Sequence, residues 1–375
     1  MTTRFDLIVL GAGPAGATAA RVAARAGLRV ALIDKAVFPR DKLCGGLITG
    51  RCLGHLTALG ALPPPGLLTR QDRVTFFRNG AELGTVSGCP PVYLTTRHAF
   101  DHHLLTQARA AGAEDLTGTR VQEIGPAHVT LASGPRLGFS ALIGADGVNS
   151  AVARQLFGAA FDPATIGFAL ETEAPPDPEA TLRIDFGAAR WGYGWRFPKP
   201  GSTTIGVGGL HARNPGMKAA MARYLAEIGA APDLRIKGHF LPFGSFRAHP
   251  GRGAVLLTGD AAGLVDPITG EGIGHAVHSG RLAAESIVAA LAAGVPDSAL
   301  RRYRQALRPL HRDLRLARML RPLLFSERLG PRMTRVLRGS ESARMRYMAL
   351  LAGETDYPEF LAHALRRLPA RLLRA

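Results

Sequence analysis

A short apolar run, Phe5–Leu10, passes into Gly11-Ala12-Gly13-Pro14-Ala15-Gly16 and then into an alanine-rich stretch from about Ala17 to Ala26 that Gly27 closes. The run Arg29–Ile33 follows and ends in Asp34, 23 residues after Gly11. Strand, glycine turn, helix and strand in that order make a βαβ unit, which commits the chain to a parallel sheet covered by helices. A lone glycine pattern is weak evidence. Placed between a strand and a helix, with an acidic residue closing the next strand, it reads as a dinucleotide fingerprint. Gly11 permits the tight turn, Gly13 lets backbone approach a pyrophosphate, and Gly16 lets the helix pack closely on the strand. The helix N-terminus offers free N–H groups and a positive dipole end, and Asp34 can accept hydrogen bonds from ribose hydroxyls.

Further strands are expected at Val74–Phe77, Leu142–Gly144, Leu182–Phe186, Thr203–Val207 and Ala254–Thr258, and a helix from about Phe100 to Ala111. Between about 164 and 246, short alternating strands broken by Pro and Gly, with one helical piece near 214–228, predict an antiparallel sheet set into a parallel-sheet domain. From about 271 onward the periodicity is helical. The fold class is therefore α/β: a Rossmann-like three-layer dinucleotide domain, an inserted antiparallel-sheet substrate domain and a helical C-terminal region. The first is expected from the separated pieces 1–68, 97–163 and 247–297. The second takes 69–96 and 164–246, and the third 298–375.

Composition narrows the class of protein. With 46% hydrophobic and 20% charged residues among 375, the chain can bury a core. Three cysteines exclude a disulfide scaffold and suit a reducing cytoplasm, and no Cys/His spacing fits a zinc site. No secretory leader is visible at the N-terminus. The longest uncharged run, Cys52–Thr69, contains Pro63-Pro64-Pro65 and cannot span a bilayer as a helix. The expectation is a cytoplasmic protein, at most peripheral to the inner face of the membrane. The net charge is +17, and residues 301–375 carry +12 of it, as 18 Arg against 6 acidic residues. Such a tail suits nucleic acid, an anionic membrane or an acidic partner. No nucleic-acid fold signature accompanies it, and the aromatics lie in the middle third of the chain, so nucleic acid is set aside. In 304–328, Leu307, Leu310, Leu314 and Leu324 recur at near-helical spacing between arginines, the pattern of an amphipathic basic helix able to lie on anionic lipid or to pack on the protein.

Two later segments follow strands. One is Ala145-Asp146-Gly147-Val148-Asn149-Ser150; the other is Gly259-Asp260-Ala261-Ala262 with Asp266-Pro267-Ile268-Thr269-Gly270-Glu271-Gly272-Ile273-Gly274. With the glycine fingerprint they resemble the FAD-binding fold of the flavoprotein hydroxylase and geranylgeranyl reductase superfamily. The resemblance implies FAD as cofactor, with Asp260 near the ribityl and pyrophosphate and the backbone at Gly272 and Ile273 facing the flavin N1/O2 edge. It also sets Ala15, Lys35, Val121, Asp146, Gly147, Gly259 and Gly270 around the cofactor. Arg97 matches the superfamily arginine on the ribityl and phosphate side; by itself it reads as a surface ion pair.

Asp41-Lys42-Leu43-Cys44-Gly45-Gly46 and Tyr193-Gly194-Trp195-Arg196-Phe197-Pro198-Lys199 are more discriminating. They resemble the Lys-x-Cys-Gly-Gly and Tyr-x-Trp-x-Phe-Pro segments of the geranylgeranyl reductase family. The resemblance implies that Cys44 and Gly45 lie beside the isoalloxazine and that Gly46, Tyr193, Trp195 and Phe197 border the substrate. In a strand, Tyr193, Trp195 and Phe197 fall on one face, fit to line a prenyl channel or to form an ordinary core. Cys44 is open to three readings: proton donor, a small residue that lets the loop approach the flavin, or redox thiol. Cys44, Tyr193 and Trp195 are the catalytic candidates. Cys52 and Cys89 read as packing residues, His98, His102 and His103 as surface or FAD-proximal, and His275 and His278 as neighbours of the site. No metal site is expected, and Glu271 reads as a helix-start residue.

The function this implies is FAD-dependent reduction of carbon–carbon double bonds in an isoprenoid or related lipid, with hydride from the reduced flavin and a proton from an acid near Cys44. The alternative is an aromatic monooxygenase on the same scaffold. Tyr193 and Phe197 depart from the halogenase Trp-x-Trp-x-Ile-Pro segment and argue against that variant. A lipid-binding protein that keeps FAD as structure would have lost flavin elements, and none is lost. With one dinucleotide fingerprint, the electron donor stays open between NADPH, a ferredoxin-type protein and a quinol.

Overall fold

The computed structural model describes residues 3–177 and 179–366. Arg367, Arg371 and Arg374 of the basic tail lie outside the described residues.

Thr3–Leu10 is the central strand of the first sheet. It pairs in parallel with Val30–Asp34 on one side and Arg136–Gly144 on the other, with Leu10 in register with both Ile33 and Gly144. Glu114–Thr117 and Val255–Leu257 extend the parallel set outward, and antiparallel strands Val121–Ile124, His128–Leu131 and Gly251–Arg252 finish it. Leu7, Ile8, Val9 and Leu32 are buried on both faces, as parallel strands under helices must be. The helix Pro14–Arg25 starts three residues before the sequence expectation because Pro14 occupies its first turn, where a missing N–H costs nothing. It packs against Arg97–Ala110 and Ile273–Ala292. The Thr96 side chain caps Arg97–Ala110 by accepting from Ala99 N, which sets Arg97 in the first turn.

The second sheet has eight strands and draws on two stretches of chain. Leu47–Ile48, Thr69–Arg78 and Ala81–Leu94 come from the first hundred residues; Gly167–Ala174, Leu182–Phe186, Tyr193–Lys199, Ser202–Leu210 and Lys237–Leu241 come from the middle. The expected all-antiparallel sheet is corrected at one joint: Leu182–Phe186 runs parallel to Val74–Arg78. Parallel neighbours need a long connection, and about a hundred residues separate these two strands. Met217–Glu227 packs on this sheet.

The C-terminal region is helical through Arg366. The stretch 304–328 is two helices rather than one, Ala299–Ala306 and Arg308–Phe325, parted at Leu307 just before Pro309. Its leucine stripe faces inward: Leu307, Leu310 and Leu314 join the core of the first sheet, and Leu324 joins that of the second. Each such burial stabilises by roughly 1.5–3 kcal/mol, so the stripe holds the helices down and is not free for lipid. Tyr303 donates to Leu257 O at 3.1 Å. Part of the arginine surplus is structural as well. Arg321 and Arg344 are buried and donate to Trp191 O and Leu83 O. No helix among the described residues is long and apolar enough to cross a membrane.

Candidate active site

A cavity of about 770 Å³ is lined by both sheets and by the loops between them. At one end lies the glycine turn. A Cβ built on Gly16 would sit 1.7 Å from Gly11 O, so this position permits no side chain. Gly16 thus underlies the turn while Gly11, Gly13 and Ala15 face the cavity. The nearest atoms to a Cβ on Gly13 would be guanidinium nitrogens of Arg40 and Arg97, at 3.8 and 3.9 Å. Arg97 is buried and grips Asp101 with two hydrogen bonds of 2.7 Å, which overturns its reading as a surface pair. Arg40 reaches the same carboxylate at 3.0 Å and keeps one buried nitrogen without a partner. Asp34 accepts from Ala12 N and Ala36 N, both at 2.8 Å, and each oxygen retains a lone pair for a hydroxyl.

These features fit FAD on their own chemistry. Open glycine backbone, a helix N-terminus, two guanidinium groups and an unpartnered donor suit a pyrophosphate. Asp34 and the neighbouring Lys35 suit the ribose end. Val121, Asp146, Gly147, Gly259 and Asp260 continue the wall. Asp146 accepts from Ala151 N at 2.6 Å, its second oxygen is buried without a partner, and burial pushes its carboxyl pKa up.

A second helix, Ile273–Ala292, points its N-terminus at the same cavity through Gly270, Gly272 and Ile273. Its lead-in loop is organised by Asp266, which accepts from Ile268 N and Thr269 N and from the Tyr357 hydroxyl at 2.7 and 2.9 Å. Tyr193 donates to Thr269 O at 2.8 Å, and its hydroxyl occupies the space a Cβ on Gly270 would take. Glu271 is buried, lines the cavity and accepts from the Thr49 hydroxyl at 2.6 Å.

The Cys44-Gly45-Gly46 loop closes on an aromatic wall. Tyr193 and Trp195 rings are 5.7 Å apart and Trp195 and Phe197 rings 6.4 Å apart. Gly46 adopts φ +73°, and a Cβ there would meet Thr95 O at 2.0 Å. The Cys44 thiol accepts from Gly46 N at 3.4 Å, and Lys199 donates to Cys44 O at 3.3 Å. Lys42, whose pKa burial and Arg97 lower, faces His239 at 3.4 Å. Burial and Lys42 hold that histidine down at about 4.

All the candidate residues thus border this one cavity except Gly16. His275 and His278 do not: His278 stacks on His55 at 4.3 Å, and His275 is buried beside Glu271 at 3.8 Å. His98 is exposed, and no cluster among the described residues could hold a metal. Sequence reading missed Glu171, Tyr347 and Leu351, which also line the cavity. Tyr347 and Leu351 sit on a C-terminal helix, Glu341–Ala352, that carried no motif.

This fold and site define an FAD-dependent oxidoreductase. A family model described as FAD dependent oxidoreductase matches residues 6–63. Menaquinone reductase of Mycobacterium tuberculosis is 34% identical over 308 residues, covering 75% of this chain and 76% of that protein. Geranylgeranyl diphosphate reductase of Rhodobacter capsulatus is 32% identical over 324 residues, covering 78% and 77%. In architecture, a geranylgeranyl bacteriochlorophyll reductase-like protein from Thermoplasma acidophilum superposes with a TM-score of 0.82 over 98% of this chain and 100% of that one, at 20% identity. The chain belongs to the geranylgeranyl reductase family.

Proposed function

We propose that this enzyme saturates carbon–carbon double bonds in a prenyl chain carried by a lipid, quinone or diphosphate. The observation that carries the reading is the Tyr193–Trp195–Phe197 wall, packed on the Cys44-Gly45-Gly46 loop in the cavity that holds the dinucleotide cradle. A geranylgeranyl diphosphate reductase among the relatives supports a prenyl substrate, and a menaquinone reductase supports a quinone one. Bound FAD, once reduced by NADPH or by a ferredoxin-type partner, supplies the hydride. The chain's own residues hold the prenyl segment flat against the aromatic wall and exclude water. Glycine backbone at 45 and 46 admits the close approach, and an acid beside the Cys44 loop supplies the proton.

The test is anaerobic. Reduced holoenzyme is mixed in separate arms with geranylgeranyl diphosphate, with menaquinone and with digeranylgeranyl phospholipid vesicles. Flavin reoxidation without oxygen, with two hydrogens gained per bond in the product, is expected. Reoxidation by oxygen alone, with a hydroxylated product, would establish the monooxygenase instead. NADPH and reduced ferredoxin, supplied separately, identify the donor.

We also propose that the C-terminal helices dock on anionic lipid. Their leucine stripe is buried, but Met319 is 74% exposed and Leu323 37% exposed, on the helix that also exposes Arg312, Arg315 and Arg318. Apolar side chains amid cations suit an anionic bilayer surface. Salt-sensitive binding to phosphatidylglycerol vesicles is expected, and absence of binding at low salt overturns it.

A further inference from the structure

Glu171 lies on the strand Gly167–Ala174 and faces the cavity, 6% exposed. Register sets it opposite Gly206, and Gly206 is opposite Trp195 on its other side. Directly opposed residues of antiparallel strands project on the same face, so Glu171, Gly206 and Trp195 form one row across three strands. The middle position must be bare. A Cβ on Gly206 would lie 2.4 Å from the Trp195 ring and 2.7 Å from Glu171 Cγ. The carboxyl and the indole flank that gap; the indole nitrogen is buried with no hydrogen-bond partner and lies 3.5 Å from the Cβ position of Gly45. The row therefore connects a buried carboxyl to the loop that the prenyl chain and flavin would share.

The charged groups facing Glu171 are Lys199 and Lys42, which favour its ionised form, and Glu173, which opposes it. Neither lysine is committed to it: Lys199 pairs with Glu173 at 3.7 Å, and Lys42 faces His239. Burial outweighs both and pushes the carboxyl up to about 7. An acid at that level is partly protonated at neutral pH and can be reloaded there.

We propose that Glu171 is the catalytic acid that protonates the alkene, an inference that rests on the reductase reading above. Hydride from the reduced flavin adds to one alkene carbon. The alkene electron pair forms a C–H bond at the other carbon with the carboxyl proton, and the Glu171 O–H bond breaks. The alkene is reduced, the flavin is oxidised, and a carboxylate remains. The carboxylate then takes up a proton from solvent, which resets Glu171 for the next turnover.

The experiment compares wild-type holoenzyme with Glu171→Gln, an isosteric change that keeps the cavity shape. Both are first shown to retain FAD with the same visible spectrum. Infrared difference spectra of the oxidised holoenzymes between pH about 5 and about 9 then follow protonated carboxyl groups. A carbonyl stretch with a midpoint near 7 is expected in wild type and weakens in the variant, the remainder belonging to Glu227, which burial and Asp185 also push up to about 7. In anaerobic single turnovers with geranylgeranyl diphosphate, wild-type rate falls as pH rises through 7, while the variant is slower by roughly a hundredfold and loses that inflection. A variant with the wild-type rate and pH profile, or an unchanged carbonyl signal, overturns the assignment alone. A wild type that never reduces the alkene overturns the reductase reading as well, whatever the infrared signal does.

Discussion

The ring of Phe197 stands so close to the backbone of Gly45 that a Cβ on that glycine would lie 2.9 Å from two ring carbons. The aromatic wall of one sheet and the cysteine loop after the first βαβ unit therefore set each other's position. Gly45→Ala forces one of them to move. Overpacking of this kind costs about 1–3 kcal/mol, so we expect a lower melting temperature and weaker flavin binding together. Thermal unfolding with and without added FAD checks it, and equal shifts in both states would remove the link to flavin.

Asp34 ties the glycine turn to the next loop by accepting from Ala12 N and Ala36 N. Asp34→Ala leaves two N–H groups without their acceptor and removes the candidate ribose partner. Losing hydrogen bonds at a charged group costs about 1–3 kcal/mol, so FAD affinity should fall about ten- to a hundredfold. Flavin fluorescence titration measures it; unaltered affinity would place the ribose elsewhere.

The Tyr357 hydroxyl spans both oxygens of buried Asp266, in the loop that leads to Gly272. Tyr357→Phe leaves that carboxylate short of one donor at a cost of roughly 1–3 kcal/mol. The expected result is reduced stability in urea and loosened flavin binding, because the same loop feeds the helix N-terminus. If stability falls and flavin affinity does not, the bond serves only to seat helix Tyr357–Arg366.

The inward and outward residues of helix Arg308–Phe325 should separate stability from lipid binding. Leu310→Ala opens a cavity in the first core and should cost about 2–5 kcal/mol. Met319→Ser removes an exposed side chain, should leave stability within about 0.5 kcal/mol and should weaken vesicle binding. Unchanged vesicle binding would dismiss this helix as the docking face.

His278 and His55 stack at 4.3 Å, and burial beside Arg281 and Arg51 lowers their pKa values to about 3 and about 4 from 6.5. Below pH 6.5 the unfolded chain takes protons that the folded chain refuses until about 4, so stability falls as pH drops through that window. Denaturant midpoints from pH 7 to 4 should decline, and His278→Leu should flatten the decline. A slope unaffected by that change would assign acid sensitivity to other groups.

The βαβ unit, the Asp34 acceptor and the start of helix Ile273–Ala292 were legible because turn chemistry and apolar periodicity are local. The three aromatics share a face for the same reason: alternation belongs to the strand itself. The leucine stripe was legible as a stripe, but nothing near it says which way it turns. Two cores were waiting for it, and they are assembled from residues hundreds of positions away.

Sequence by itself determined a dinucleotide fold with an aromatic strand and a cysteine–glycine loop. Tertiary structure decided that the loop meets the strand at Gly45 and Phe197, and that helix Glu341–Ala352 contributes Tyr347 and Leu351 to the cavity. It also decided that Glu171 shares a row with Trp195 across Gly206. Register is a property of strand pairs, and a shift of one residue would have turned Glu171 to the opposite face. A carboxyl's acidity follows from what surrounds it, and those surroundings exist only once the chain has closed on itself.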